Sequence, residues 1–260
     1  MPSDTIRIAA MSDVHCTKNS HGALQPLFAQ AAREADIIVI CGDLTDYGTA
    51  DETHVLVKEL SAVRVPVVAV LGNHDHESGT PEVVTGILRE AGVNVLDGEA
   101  CEVHGVGFAG VKGFAGGFGR YTLGAWGEPA IKTFVQEALN EALKLEAALA
   151  RLRTPHRVAV LHYAPIVQTV QSEPVEIHPY LGTSRLEEPL SRYRVTAVFH
   201  GHAHHGDPEG QLANGVPVYN VSLPLMRKQT PERPYRILEV STLDGEDRSD
   251  IPQREAQNTH

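Results

Sequence analysis

Cysteine is scarce in this chain. Cys16, Cys41 and Cys101 are an odd count in 260 residues, at spacings that match no zinc framework and no disulfide scaffold. A reducing, cytoplasmic setting is expected. Positive charge is also short: 22 Lys and Arg against 33 Asp and Glu leave a net charge of −11 and a pI near 5.7. That balance excludes a nucleic-acid polymer as the natural partner, because a phosphate backbone selects Lys/Arg-rich surfaces. Long apolar runs are missing too. No window approaches the roughly 18 uninterrupted apolar residues of a membrane helix, and Met1-Pro2-Ser3-Asp4-Thr5 carries neither the basic nor the apolar region of a secretion signal. No membrane association is expected, and the glycosylation sequon at Asn220-Val221-Ser222 is accidental. With 42% hydrophobic residues the chain can bury one large core, so a single α/β domain is expected over 1–243. Residues 244–260 are polar, short of apolar side chains, and expected to form a disordered tail.

Histidine is abundant, with 14 in the chain. Four of them fall in the stretch Val198-Phe199-His200-Gly201-His202-Ala203-His204-His205-Gly206, directly after a β-branched run. A histidine-rich turn can be merely solvated. If the backbone is extended, however, His202 and His204 project to the same side and form a bidentate arm for a metal. Other strand-like runs end in the same way. Residues 5–11 run into Asp13 and His15, again spaced by two. Residues 36–41, apolar on both faces as in a strand covered on two sides, run into Gly42-Asp43-Leu44-Thr45-Asp46. Residues 65–71 end in Gly72-Asn73-His74-Asp75-His76, and residues 157–161 deliver His162. In an open α/β sheet the carboxyl edge of the strands is where ligands bind, so metal-ligand side chains recurring there are site candidates.

Between these runs, helical spacing predicts helices over 22–35, 50–63, 81–91, 128–152 and 186–193. A short strand over 93–96, a hairpin across Asn214-Gly215 and a last strand over 235–240 complete the pattern. The alternation of strand and helix implies a largely parallel sheet. Gly105-Val106-Gly107-Phe108-Ala109-Gly110 formally matches a dinucleotide fingerprint. More glycine follows where that fingerprint needs a helix, so a hairpin or mobile loop is the better reading. Residues 105–127 and 166–184 are long enough for a lid or binding loop, and His178 lies in the second.

Asp13-x-His15, Gly42-Asp43, Gly72-Asn73-His74-Asp75, His162 and Gly201-His202-x-His204, in that order, resemble the calcineurin-like metallophosphoesterase superfamily. The resemblance implies a four-layer α/β/β/α sandwich of two mixed sheets with a binuclear metal centre at the strand ends. Carried over by motif, one metal would be held by Asp13, His15, Asp43 and His204, and the other by Asp43, Asn73, His162 and His202, with Asp43 bridging. Such donors suit Mn, Fe or Zn, as divalent or trivalent ions. Two ions about 3.5–4 Å apart can clamp both ends of an in-line attack on phosphorus by a shared hydroxide. His74 would face the substrate as proton donor or transition-state stabiliser, and Asp46 would orient it.

Departures from the family's branches bear on the substrate. Tyr47 and Leu71 stand where the protein-phosphatase branch has arginines, and Asp75 stands for its glutamate, which disfavours a phosphoprotein. His74 replaces the arginine of the lipid A precursor pyrophosphatases. What remains is similar to the small bacterial phosphodiesterases, including the class III cyclic-nucleotide enzymes. A phosphodiesterase on a small phosphate ester is therefore expected. The alternatives are a phosphomonoesterase or nucleotide pyrophosphatase with the same centre, or a non-catalytic binding module on the same fold. Oligomeric state is left open, a homodimer included.

Overall fold

Side-chain alternation along the first strand sets the architecture. In β1 (Thr5–Met11) Ile8 and Ala10 face one way, Ala9 and Met11 face the other, and all four are fully buried. In β2 (Ile37–Cys41) the alternation repeats, Ile37, Val39 and Cys41 joining the first pair and Ile38 and Ile40 the second. A strand apolar on both faces needs a cover on each. The computed structural model, which describes residues 5–241, supplies both covers. The polar tail expected at 244–260 lies outside the described residues.

The first sheet has the order β11-β1-β2-β3-β4. Its strands β3 (Val67–Val70) and β4 (Asn94–Val95) run parallel to β2, and β11 (Arg236–Ser241) runs antiparallel to β1. The second sheet has the order β5-β6-β7-β8-β10-β9. In it β6 (Val106–Val111), β7 (His156–Leu161), β8 (Ala197–His200) and β10 (Pro217–Asn220) are parallel. Strands β5 (Glu99–Val103) and β9 (Glu209–Gln211) close its edges antiparallel. Both sheets are thus mixed. Their facing sides share one apolar layer, in which Ile8, Val39 and Val70 meet Phe108, Val160 and Phe199.

The outer face of the first sheet packs on α1 (Gln25–Glu34), α2 (Ala50–Glu59) and α3 (Pro81–Glu90) through Phe28, Leu56 and Leu88. The outer face of the second packs on α4 (Pro129–Arg151) through Leu145 and Leu149, and on α6 (Glu187–Arg192) through Leu190. Helix starts follow local chemistry: Thr49 and Glu52 form a capping box on α2, and proline opens α3 and α4. The result is the α/β sandwich of two mixed sheets that the resemblance implied.

Residues 99–111 form the β5–β6 hairpin, turning at His104 and Gly105 with φ of 51° and 78°, as a tight two-residue turn requires. The region 166–184 holds three helical turns, the last of them α5 (His178–Leu181). The pattern gave no warning of α7 (Leu223–Gln229). At seven residues it is too short to show a helical period.

Candidate metal centre

The candidate residues follow the carboxyl ends of five parallel strands, β1, β2 and β3 in one sheet and β7 and β8 in the other. The two edges adjoin, because β2 and β3 pack against β7 across the shared core. The loops there are strained. Asp13, His15, Asp43 and His202 take φ of 58°, 44°, 47° and 68°, the left-handed region that costs a non-glycine residue free energy and clusters at functional sites. This corrects the expectation of extended arms: Asp13 and His15, and His202 and His204, are not brought together by period-two projection.

Instead His202 and His204 separate. One group joins Asp13, His15 and His204, and a second joins Asp43, His162 and His202, with one ligand-type atom per residue all within 4.8 Å of one another. His204 Nε2 lies 3.0 Å from Asp13 Oδ1. In the second group His162 Nε2 is 3.4 Å from Asp43 Oδ1 and 2.9 Å from Asn73 Oδ1. Asp43 touches both groups, since its other oxygen, Oδ2, is 3.8 Å from His15 Nε2. His15, Asp46 and His74 form a third such set beside the first.

The donor set fits cations. His162 Nδ1 faces the Cys41 carbonyl at 2.9 Å and must donate to it, and burial holds this ring well below the usual histidine range. The neutral ring then turns an Nε2 lone pair toward the oxygens of Asn73 and Asp43, three acceptors converging on one point. Both ring nitrogens of His15 are buried without a hydrogen-bond partner. Burial, then the Asp13 and Asp75 carboxylates, push Asp43 up to about 9. Burial would raise Asp13 likewise, but the His204 hydrogen bond and the charges of His162, His204 and His202 together bring it below the carboxylate range. Buried carboxylates crowded with lone pairs and few hydrogens are the environment a metal relieves.

His74 is set differently. Its Nδ1 lies 2.7 Å from the Asp46 backbone carbonyl and its amide donates to Asp43 Oδ1 at 2.9 Å. The Asp46 carboxylate is 3.8 Å from His74 Nδ1 and closer, at 3.4 Å, to His15 Nδ1. Asp46 thus flanks His74 as expected, its main-chain carbonyl nearer the ring than its carboxylate, and both face Nδ1 rather than Nε2.

Several residues that hold the site together escaped the sequence reading. Asp75, fully buried, accepts from Leu44 N, Thr45 N, Thr45 Oγ1 and Gly72 N at 2.6–3.1 Å, tying the Asp43 loop to the Asn73 loop. Burial raises its carboxyl, with those hydrogen bonds pulling against it. Its place in Gly72-Asn73-His74-Asp75 was the available signal. Asn220, 1% exposed, donates to the Ala203 carbonyl at 2.7 Å and so anchors the histidine turn, a burial that also rules out glycosylation there. A Cβ at Gly72 would collide with Asp43 Oδ1, and one at Gly201 with Ser12 Oγ, so both loops approach only because these positions are glycine.

Other histidines have ordinary partners. His200 bonds the Gly201 carbonyl and Thr169 Oγ1, each at 2.8 Å, and burial lowers it to about 4. His205 Nδ1 meets Lys228 Nζ at 2.8 Å, and His178 the Glu173 carbonyl at 3.0 Å. Arg227 and Lys228 are exposed. A cation the sequence reading passed over stands behind the site: Lys112 Nζ lies 5.3 Å from the centroid of the Tyr163 ring, which packs 4.4 Å from the His202 ring. The two long loops are bound to each other, Gly117 N to the Gly182 carbonyl at 2.9 Å and Ser184 N to the Gly117 carbonyl at 3.1 Å. The Tyr180 carbonyl then reaches His202 Nε2 at 3.2 Å.

Among the described residues no helix is long and apolar enough to cross a membrane. Solved structures share the fold at low identity. One aligns with a TM-score of 0.58 and 14% identity, over 92% of this chain and 99% of its own. The protein TT1561 of Thermus thermophilus aligns with a TM-score of 0.52 and 14% identity over the same shares. GAP50, the anchor in the inner membrane complex of Plasmodium, aligns at 0.50 and 14%, over 85% of this chain and 73% of its own. No curated protein matches. The sequence profile of the calcineurin-like phosphoesterases matches residues 6–206, and the chain belongs to that family of metal-dependent phosphoester hydrolases.

Proposed function

We propose that this protein is a binuclear-metal phosphodiesterase acting on a small diester. One observation carries the reading: the two oxygens of Asp43 face different histidine clusters, Oδ2 toward His15 and Oδ1 toward His162. In this reading Asp13, His15, Asp43 and His204 hold one ion, and Asp43, Asn73, His162 and His202 the other. Mn, Fe or Zn suits these nitrogen and oxygen donors. When bound, such ions polarise the phosphoryl oxygens and activate water as the nucleophile.

The remaining work falls to the chain itself. The hydrogen bonds at Asp75 and Asn220 keep the ligand loops in register before substrate arrives, and preorganisation of this kind lowers the cost of reaching the transition state. His74 gives Nδ1–H to the Asp46 carbonyl, so it is as the imidazolium that it carries a second proton, at Nε2. From there it can pass that proton to the departing alcohol oxygen. Its ring is 41% exposed, so a substrate can reach it.

The test is metal content by mass spectrometry together with turnover of an aryl phosphodiester before and after chelation. Two equivalents of metal, with activity lost on chelation and restored by Mn²⁺, are expected. Binding of two metals without turnover of any phosphate ester would instead support a non-catalytic module on this fold.

A further inference from the structure

Two of the ligand loops run side by side, and their register brings Asp46 to His15. The amides of His15 and Cys16 donate to the carbonyls of Asp43 and Leu44 at 3.0 Å each, and the amide of Asp46 donates back to the Cys16 carbonyl at 3.1 Å. Thr45 gives its hydroxyl to the buried Asp75 carboxylate at 2.6 Å. Asp46, next in the chain and half-buried, places its Oδ1 3.4 Å from His15 Nδ1.

The two nitrogens of the His15 ring have different surroundings. Nε2 is turned toward Asp43 Oδ2 at 3.8 Å, the oxygen that the binuclear reading gives to the ion held with Asp13 and His204. Nδ1 is turned toward Asp46. Both nitrogens are buried and neither makes a hydrogen bond. His74 and His204 pack edge-on to the ring, with centroids 4.6 and 5.5 Å away, which sets where the ring lies but not which nitrogen carries the proton. An imidazole that gives its Nε2 lone pair to a cation must carry its proton at Nδ1, and the acceptor facing that nitrogen is the Asp46 carboxylate. His74 has no need of the same carboxylate. The Asp46 main-chain carbonyl takes its Nδ1–H at 2.7 Å, and the carboxylate is 3.8 Å away.

Resting on the binuclear-metal reading above, we propose that Asp46 is a positioning residue for His15: its carboxylate accepts the Nδ1 proton and holds Nε2 toward the ion shared with Asp13, Asp43 and His204. A carboxylate behind a ligand imidazole fixes the tautomer and raises the basicity of the ligating nitrogen. The two polar groups of Asp46 then serve different histidines, the carbonyl His74 and the carboxylate His15. Losing the carboxylate acts on metal binding, whereas losing His74 acts on proton transfer.

The experiment is calorimetric titration of Mn²⁺ into the metal-free full chain, for the wild type, Asp46→Ala, Asp46→Asn, His74→Ala and the double variant of Asp46→Ala with His74→Ala. Asp46→Ala should weaken one of the two ions by about 10–100-fold and leave the other unchanged, and the loss should be as large in the His74→Ala background. Asp46→Asn, which keeps a neutral acceptor oxygen, should lose less. Wild-type affinity in Asp46→Ala, with turnover reduced only where His74 is present, would return the carboxylate to His74 and overturn the proposal. Equal weakening of both ions would overturn it too. A second measurement serves if Asp46→Ala fails to fold. In the Zn²⁺-loaded wild type with isotope-labelled histidine, NMR should find His15 protonated at Nδ1 with that proton slow to exchange; a fast-exchanging proton, or one at Nε2, overturns the contact. If the wild type binds a single ion, the binuclear reading falls and the proposal is decided by whether Asp46→Ala weakens that ion. If it binds none, both fall.

Discussion

The two halves of the candidate centre differ in depth. His162 and Asp43 are closed off, 0% and 2% exposed, and the Cys41 carbonyl fixes His162 through Nδ1, leaving the Nε2 lone pair turned toward Asn73 Oδ1. Around His15 the site opens, with side-chain exposures of 21% for His15, 34% for His204 and 41% for His74. Burial keeps His162 neutral, while the hydrogen bond to Asp13 raises His204. The deep half is built like a core and the shallow half like a mouth. In such an arrangement the deep half fixes geometry and the shallow half meets the substrate.

Replacing the residue the halves share should break both. Asp43→Asn removes the charge facing His15 and His162, so occupancy at both metal positions should fall. Turnover should drop by about 10³-fold or more, roughly 4 kcal/mol in the barrier. Metal analysis that returned two full equivalents alongside normal turnover would remove Asp43 from its bridging role. His74→Ala touches only the mouth. Both metals should stay bound while turnover of an aryl diester falls by about 10²–10³-fold, within the range of a lost acid–base group. A parallel loss of metal would make His74 a ligand instead.

The same division explains what could be read from the sequence. The strand ends carried side chains whose chemistry names itself, Asp13-x-His15, Asp43, Asn73-His74, His162 and His202-x-His204, and the run Ile37–Cys41 could only be a strand buried on both faces. Their pairing could be read only through the family resemblance, not from their spacing. Whether His202 joins His204 or Asp43 depends on a left-handed turn at His202 and on the reach of β8 past β7, neither of which has a local signature. Asp75 could be read only as part of its motif and Asn220 only as a sequon, because hydrogen-bond partners of theirs lie 31 and 17 positions away. Lys112 was passed over because its link to the site runs through Tyr163, and α7 because seven residues show no period.

Asp75 sharpens the contrast from the deep side, since it touches neither group of candidate ligands yet ties two of their loops together. Asp75→Asn keeps the volume but turns at least one amide hydrogen toward the backbone N–H groups of Leu44, Thr45 and Gly72. Supporting residues of this kind typically change metal affinity by about 10–100-fold. Calorimetric titration of Mn²⁺ should show a loss in that range, with the far-ultraviolet circular dichroism unchanged. An affinity equal to the wild type would mean that the loops hold their register without it.

The smallest expected effect concerns the charge of the substrate at the open half. A monoester dianion gains from cations beyond the metals, whereas a diester carries one negative charge and needs fewer. Tyr47 and the buried Leu71 supply no charge at the mouth, Arg227 is exposed, and Lys228 is engaged with His205. Lys112 lies behind Tyr163, where burial lowers its pKa. With Asp13 and Asp43 and one hydroxide set against two divalent ions, the centre would carry about +1, a match for a diester monoanion. The specificity constant for an aryl diester should therefore exceed that for the corresponding monoester by roughly tenfold under Mn²⁺, about 1.4 kcal/mol in transition-state binding. Both substrates should share one leaving group, one pH and one enzyme preparation, so that the ratio reports charge alone. A ratio at or below one would place the needed cation at the mouth, and Lys228→Ala would then be the substitution to show whether it comes from α7.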